Sequence, residues 1–426
     1  MGIDKRPSRV WPGVIAFIFS ACTWFPASAA ITTEAETEQL IGLSLEELLQ
    51  VTVTTVSRKP QALSSSPAAI FVISQNDIRR SGARTLPDIL RMVPGVQVAQ
   101  VDASTWAVTA RGQNGIFANK LLVLMDGRTL YSPLFSGVRW EVQDTDLSSI
   151  ERIEVIRGPG AVMWGSNAVN GVINIITKNA SATHGFKADV AVGSLTHAET
   201  TVRWGGSAGS TVDYRVYAKY FDRDGHAPQI DGNAYDDWDM ARVGARLDWD
   251  AGHDDSVTLT AEYYDGNVGD NFTSNSVTPP FASNSDVIVQ PTGGFLTMNW
   301  QHTLSGTSDF QLRMYYDHNE RNAVAPEEDR DTYDLDFQHH FRAGSRNDVV
   351  WGFDIRHSTD QTIGNETFAL IPEKRTQRLY SGFVQDEIRL YAEELFLTVG
   401  AKVEKNSFSQ SDAEWSPNAR LSWLMS

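Results

Sequence analysis

Residues 158–167 read Gly-Pro-Gly-Ala-Val-Met-Trp-Gly-Ser-Asn, with glycines spaced as in a loop that cradles phosphate. The chemistry fails at the next position. Such a loop needs a lysine for the terminal phosphates, and Ser166 and Asn167 stand where a lysine and a hydroxyl residue would be. A dinucleotide fold needs a helix next, whereas Ala168 to Thr177 is strand-like. The glycines fit a structural turn instead. Gly158, Pro159, Gly165 and Gly171 let the chain reverse tightly between two strands.

Other reactive constellations fare no better. The sequence holds no His-Glu-x-x-His pair. His339 and His340 are adjacent on a strand-like run, so they face opposite sides and cannot share a metal. The acidic stretch Asp222 to Asp239 lacks the register of a calcium-binding loop. Glu151 and Glu154, interleaved with Arg152 and Arg157, read as ion pairs at a strand edge rather than as an acid/base couple. We therefore expect no catalytic group, no metal site and no cofactor. The formal net charge of −17 argues against a nucleic-acid partner.

The flanking elements say where such a turn would sit. Residues 1–29 form a secretory signal: Lys5, Arg6 and Arg9 precede an apolar run from Val14 to Cys22, and Ala27 to Ala29 closes it. The single cysteine lies inside the signal, so no disulfide is expected after export, and Phe19 is the wrong residue for a lipidation site at Cys22. Residues 30–66 are polar, with a capping box at Ser44 to Glu47 and a β-branched run at Val51 to Val56.

Residues 67–180 have the texture of a small α+β domain. Strands are expected at 69–74, 96–101, 106–111, 121–125, 153–157 and 172–177. Two short helices are expected, one capped by Ser74 and stopped at Gly82, the other capped by Thr85 with Pro87 in its first turn.

From 185 to 426 the pattern switches to apolar/polar alternation, as in Val212-Asp213-Tyr214-Arg215-Val216. Roughly twelve such runs follow, each near the length of a tilted membrane-spanning strand. Short links near 209, 252, 305, 343 and 392 alternate with longer loops near 224–238, 267–293, 320–330, 359–374 and 405–415. Short turns on one side and long loops on the other describe an outer-membrane barrel.

The run Ile-Glu-Arg-Ile-Glu-Val-Ile-Arg-Gly-Pro at 150–159, joined to Gly-Val-Ile-Asn-Ile at 171–175, resembles the plug signature of TonB-dependent outer-membrane receptors. Leu86 to Val98, Val108 to Gly115 and Leu121 to Tyr131 follow the same family's order. The resemblance implies an α+β plug domain followed by an antiparallel transmembrane β-barrel, in the outer membrane of a Gram-negative bacterium. It implies uptake of a scarce nutrient, a ferric siderophore or other iron complex or cobalamin, drawing on TonB of the inner membrane. The expected receptor is a monomer in outer-membrane lipid.

By position, the TonB box is Val51, Thr52, Val53, Thr54, Thr55 and Val56. Arg111, Arg157 and Glu154 are candidates for locking the plug to the barrel. Phe117, Tyr131, Phe135, Arg139 and Trp140 are the ligand-binding candidates, because aromatic and cationic groups suit an anionic chelate. The family's barrel has about 22 strands. With roughly twelve present and no terminal aromatic residue, the sequence reads as a fragment or a truncated receptor. The alternative is a non-transporting receptor, either a signal transducer or an attachment site for bacteriocin or phage, or else a non-functional truncated receptor. Transducers carry an extra domain ahead of the box, where only residues 30–50 stand here.

Overall fold

A computed structural model describes residues 52–424, except 54, 56–60, 63–67, 113, 159, 166, 227–234, 276–277, 280, 324–325, 366–367 and 392–393. Two short strands come first, β1 (Thr52–Val53) and β2 (Gln61–Ala62), paired antiparallel.

The plug follows. Strand β3 (Ile70–Ser74) leads into α1 (Gln75–Ser81), whose first turn is closed by a reciprocal capping box between Ser74 and Asp77. Gly82, at φ +69°, ends it in the left-handed region. Helix α2 (Leu86–Leu90) is capped by Thr85, which accepts from the Asp88 amide, and carries Pro87 in its first turn. Then come β4 (Val96–Gln100), β5 (Trp106–Ala110), β6 (Leu121–Met125), β7 (Arg128–Thr129), β8 (Tyr131–Ser132), β9 (Gly137–Val138), β10 (Ile150–Arg157), α3 (Ala161–Trp164) and β11 (Gly171–Thr177).

The central sheet has the order β3-β10-β11-β6-β7, with β11 and β6 parallel and the other pairs antiparallel. Every residue of β5 and β6 is buried. Their β-branched and aliphatic side chains have no polar phase because both faces are covered. Ile73, Ile89, Ile153, Val155, Ile173 and Ile175 fill the core.

Twelve strands in one antiparallel sheet make the wall: β12 (Gly185–Ala191), β13 (Thr196–Ala208), β14 (Val212–Arg223), β15 (Trp238–Asp250), β16 (Asp255–Asn275), β17 (Ala282–Ser305), β18 (Ser308–Asn322), β19 (Glu327–Ala343), β20 (Asn347–Ile363), β21 (Lys374–Tyr391), β22 (Leu395–Asn406) and β23 (Glu414–Trp423). Each pairs with the next in sequence. The strands run further than the alternation predicts. The expected loop at 267–293 is largely a continuation of β16 and β17, paired from Val268↔Val289 out to Asn275↔Ala282. Backbone pairing continues where polar side chains have replaced the apolar phase, and that phase was the only sequence signal for a strand there.

The two faces of the wall invert the rule of a water-soluble sheet. Trp204, Val216, Tyr263 and Tyr333 are exposed, whereas Arg215, Lys219, Arg242 and Asp334 are buried against the plug. An apolar outer surface suits lipid, and a charged inner one is tolerable only if its charges are paired. No described helix is long and apolar enough to cross a membrane, and the crossing elements are strands.

Candidate functional site

Plug and wall meet through ion pairs drawn from many strands. On the plug side, the segment between β9 and β10 brings three carboxylates to the wall. Asp144 meets Lys219 at 2.6 Å, Asp146 meets Arg203 at 3.1 Å, and Glu141 meets Arg321 at 2.8 Å. Plug cations reach the other way: Arg128 to Asp317 at 2.5 Å, Arg139 to Glu328 at 3.4 Å, and Arg84 to Asp189 at 2.8 Å.

Burial pushes the Asp144 carboxyl up, but Lys219, Arg242 and Arg223 outweigh it and hold the group below the ordinary carboxylate range. Burial is likewise overcome at Asp146, by the Ser149 and Ser148 hydroxyls and then Arg203. Arg139 is shifted down by burial and by Arg321, with Glu141 and Glu328 opposing.

Several wall cations that touch the plug also hold a carboxylate of the wall itself. Lys219 lies 3.6 Å from Glu199, Arg242 binds Glu262, Arg246 lies 2.9 Å from Asp248, and Arg356 lies 2.7 Å from Asp334. To the plug, Arg242 donates to the Val142 carbonyl at 2.7 Å and Arg356 to the Thr129 hydroxyl at 3.1 Å, while Lys219 pairs with Asp144 and Arg246 comes within 4.0 Å of Asp126. Gly127 makes the closest approach. At φ +83° the backbone favours glycine, and a Cβ there would stand 1.9 Å from the Arg313 guanidinium, which would have to move aside.

The glycine-rich turn also docks on the wall. Gly158 and Gly165 adopt φ +142° and +93°, and Gly171 lies so close to the Ile156 carbonyl that a Cβ would come within 2.5 Å of it. A Cβ on Gly165 would meet the Glu404 carboxylate at 2.6 Å. Met163 of α3 packs with Val350 and Phe383. Pro159 lies outside the described residues.

Of the expected box, Thr52, Val53 and Thr55 are described; Val51, Thr54 and Val56 lie outside the described residues. Val53 and Thr55 are fully buried. Glu154 receives both the Thr55 amide and its hydroxyl, Asn174 donates to that hydroxyl at 3.1 Å, and the Trp164 indole donates to the Thr55 carbonyl at 2.6 Å.

The expected lock residues sit elsewhere than at the plug–wall pairs. Glu154 pairs with Arg152 at 2.8 Å and faces Thr55. Arg157 donates to the Pro94 carbonyl at 2.9 Å, within the plug, and Arg111 is exposed at φ +52°. The physical reason for Glu154 and Arg157 is that β10 lies between β3 and β11, so their side chains turn to the faces of the plug's own sheet. The pairing residues Asp144, Asp146, Glu141 and Arg128 lie in irregular segments, a single 3-10 turn or a two-residue strand, where no periodicity marks them.

Among the ligand candidates, the structure brings Phe117, Phe135 and Arg139 together. The two rings lie 5.3 Å apart, and the Arg139 guanidinium lies 4.5 Å from the Phe135 centroid. Phe117 is 63% exposed. Tyr131 and Arg139 line a cavity of about 140 Å³ between plug and wall, with Arg313, Tyr315 and Asp317 opposite. Trp140 corrects the expectation. A short 3-10 turn, Trp140–Val142, points its indole into the plug core, where it is 5% exposed.

Two family models match: a TonB-dependent receptor plug domain over residues 62–172, and a TonB-dependent receptor-like β-barrel over residues 183–426. The vitamin B12 transporter BtuB of Vibrio cholerae is 33% identical over 160 residues, covering 38% of this chain and 26% of the relative. The iron-regulated outer membrane virulence protein of Vibrio cholerae is 34% identical over 176 residues, covering 40% and 25%.

Among solved structures, the siderophore receptor PirA of Pseudomonas aeruginosa aligns with a TM-score of 0.61 at 20% identity, over 84% of this chain and 59% of that one. The ferric enterobactin receptor PfeA of Pseudomonas aeruginosa aligns at 0.66 and 17%, over 88% and 62%. The chain thus spans about a quarter of the aligned curated relatives and about three-fifths of the solved chains. These structures share its fold: a plug followed by antiparallel strands. Together, the plug model and the barrel model cover most of the sequence, and the chain belongs to the family of TonB-dependent outer-membrane receptors.

Proposed function

We propose that this receptor takes up a scarce nutrient across the outer membrane, an iron complex of the ferric-siderophore kind or cobalamin, with energy supplied by TonB. It acts as a carrier rather than an enzyme. Concentrating a solute a thousandfold requires about 4 kcal/mol, by the arithmetic that relates affinity to free energy. The aligned relatives bear the names of a vitamin B12 transporter and an iron-regulated outer-membrane protein.

The observation that carries the reading is the seating of the segment around Thr55 on the plug, through Glu154, Asn174 and Trp164. A β-branched segment engaged in a two-residue pairing is suited to add to a partner's sheet edge once freed. A pull on it would act on β10, β11 and α3, the elements that frame the glycine turn. Phe117, Phe135 and Arg139 would contact the ligand, and Arg128, Glu141, Asp144 and Asp146 would hold the plug to the wall until the pull, with Glu154 and Arg157 bracing the plug's own sheet.

The test is Thr54→Pro in the full-length gene, complementing a deletion strain grown on a panel of siderophores or cobalamin. Uptake should fall to background while ligand binding to whole cells persists. Unchanged uptake removes the box assignment.

A further inference from the structure

The outward face of the wall carries a cluster unrelated to the plug. His318 lies on β18, Asp329 and Asp331 on β19, and one ligand atom from each lies within 4.8 Å of the others. His318 is directly opposite Asp331, and Glu320 directly opposite Asp329. His318 and Asp331 share the strand phase of Tyr316 and Tyr333, the aromatic pair one step nearer mid-wall, whose rings lie 5.0 Å apart. The cluster therefore sits at the rim of the apolar band, beside the connection at 323–326.

Three features point to a bound cation. First, both carboxylates approach the same ring nitrogen: His318 Nδ1 lies 3.1 Å from Asp331 and 3.8 Å from Asp329. Around an ion with bonds of about 2.1 Å, neighbouring ligand atoms are about 3.0 to 3.4 Å apart; His318 and Asp331 already stand in that range, and Asp329 would move in by about half an ångström. Second, the other acid-flanked histidines are arranged differently. His197 meets Asp222 through Nδ1 and Asp224 through Nε2, and His340 meets Asp309 and Asp348 through opposite nitrogens. Those rings bridge two acids, and no single ion could take both acids with one nitrogen. Third, Glu320 and Asp329 place like charges directly across a strand pair, as Asp222 and Asp239 do elsewhere in the wall, and here they add to the negative field around His318.

We infer that His318, Asp329 and Asp331 form a binding site for a divalent transition-metal ion of the zinc type. Imidazole favours such an ion over calcium or magnesium. Three protein ligands leave at least one position for water. Ligands from two strands would pin β18 to β19 where they enter the loop. The expectation of no metal site rested on linear spacing, and ligands on two strands have none.

The test is calorimetric titration of Zn²⁺ into the full chain, folded in detergent micelles and freed of metal by chelation. One saturable site is expected, with affinity weakened at least tenfold in His318→Ala and in Asp331→Asn and unchanged in His197→Ala. Heat-modifiable gel mobility checks that each variant is folded. Absence of saturable binding, or equal affinity in folded His318→Ala and Asp331→Asn, overturns the inference.

Discussion

Asp144 of the plug and Lys219 of the wall meet at 2.6 Å with both side chains buried, and Glu199 of the wall stands 3.6 Å from the same ammonium. One cation thus has a partner in each body. Asp144→Asn alone should cost about 1–2 kcal/mol, because Glu199 still answers the charge. Adding Glu199→Gln should raise the total to about 3–5 kcal/mol, as a buried cation loses both carboxylates. Denaturant unfolding of the two single variants and the double variant measures this, and simple additivity would contradict it.

Acid should loosen the plug late. Asp144 and Asp146 are both held below the ordinary carboxylate range, so their stabilisation is complete above the unfolded value of about 3.9 and is lost as pH falls through the lower folded values. Plug tryptophan fluorescence should be flat from neutral pH to about pH 4 and change only below it. In the Asp144→Asn, Asp146→Asn double variant that step should shrink. A transition near pH 6, unaffected by the substitutions, would place the titrating group elsewhere.

Glu154→Gln weakens charge-assisted bonds from the Thr55 amide and hydroxyl, interactions of about 1.5–3 kcal/mol. The segment should then be released more often, so trypsin should cut after Arg58 several-fold faster. Trp164→Phe, which removes the bond to the Thr55 carbonyl, should act in the same direction. Cleavage at the parental rate in both variants would mean that other contacts hold the segment.

Gly127→Ala forces a methyl into the Arg313 guanidinium at a backbone angle of +83°. The strained backbone alone costs about 1–3 kcal/mol. The melting temperature should drop, and Arg313→Ser in the same chain should restore only the part due to the clash. Full restoration would show that the left-handed backbone carries no penalty there.

Much of this architecture was legible because periodicity speaks for it. The two-residue alternation marked the wall, and Ser74, Gly82, Thr85 and Pro87 delimited both short helices. Where periodicity ends, so does foresight. The outer reaches of β16 and β17 scatter a few apolar residues among Asp270, Asn271, Thr273, Asn284 and Ser285 without regular alternation, and they read as a loop. Trp140 looked like a ligand-facing aromatic because composition cannot tell which way a 3-10 turn aims its side chain. Partners from distant strands, such as Asp144 with Lys219, are fixed by docking rather than by any local pattern.

Lys219, Arg242, Arg246 and Arg356 keep acids on their own sheet. A plug sliding past Arg242 and Arg356 strands neither cation: it gives up hydrogen bonds of about 1.5–3 kcal/mol apiece, which can part in sequence. At Lys219 it must also draw Asp144 out of a buried ion pair. At Arg242 and Arg356 the lining behaves more like a bearing than a bolt, and a modest steady tug suffices there, where a single unpaired buried charge would have demanded one large effort.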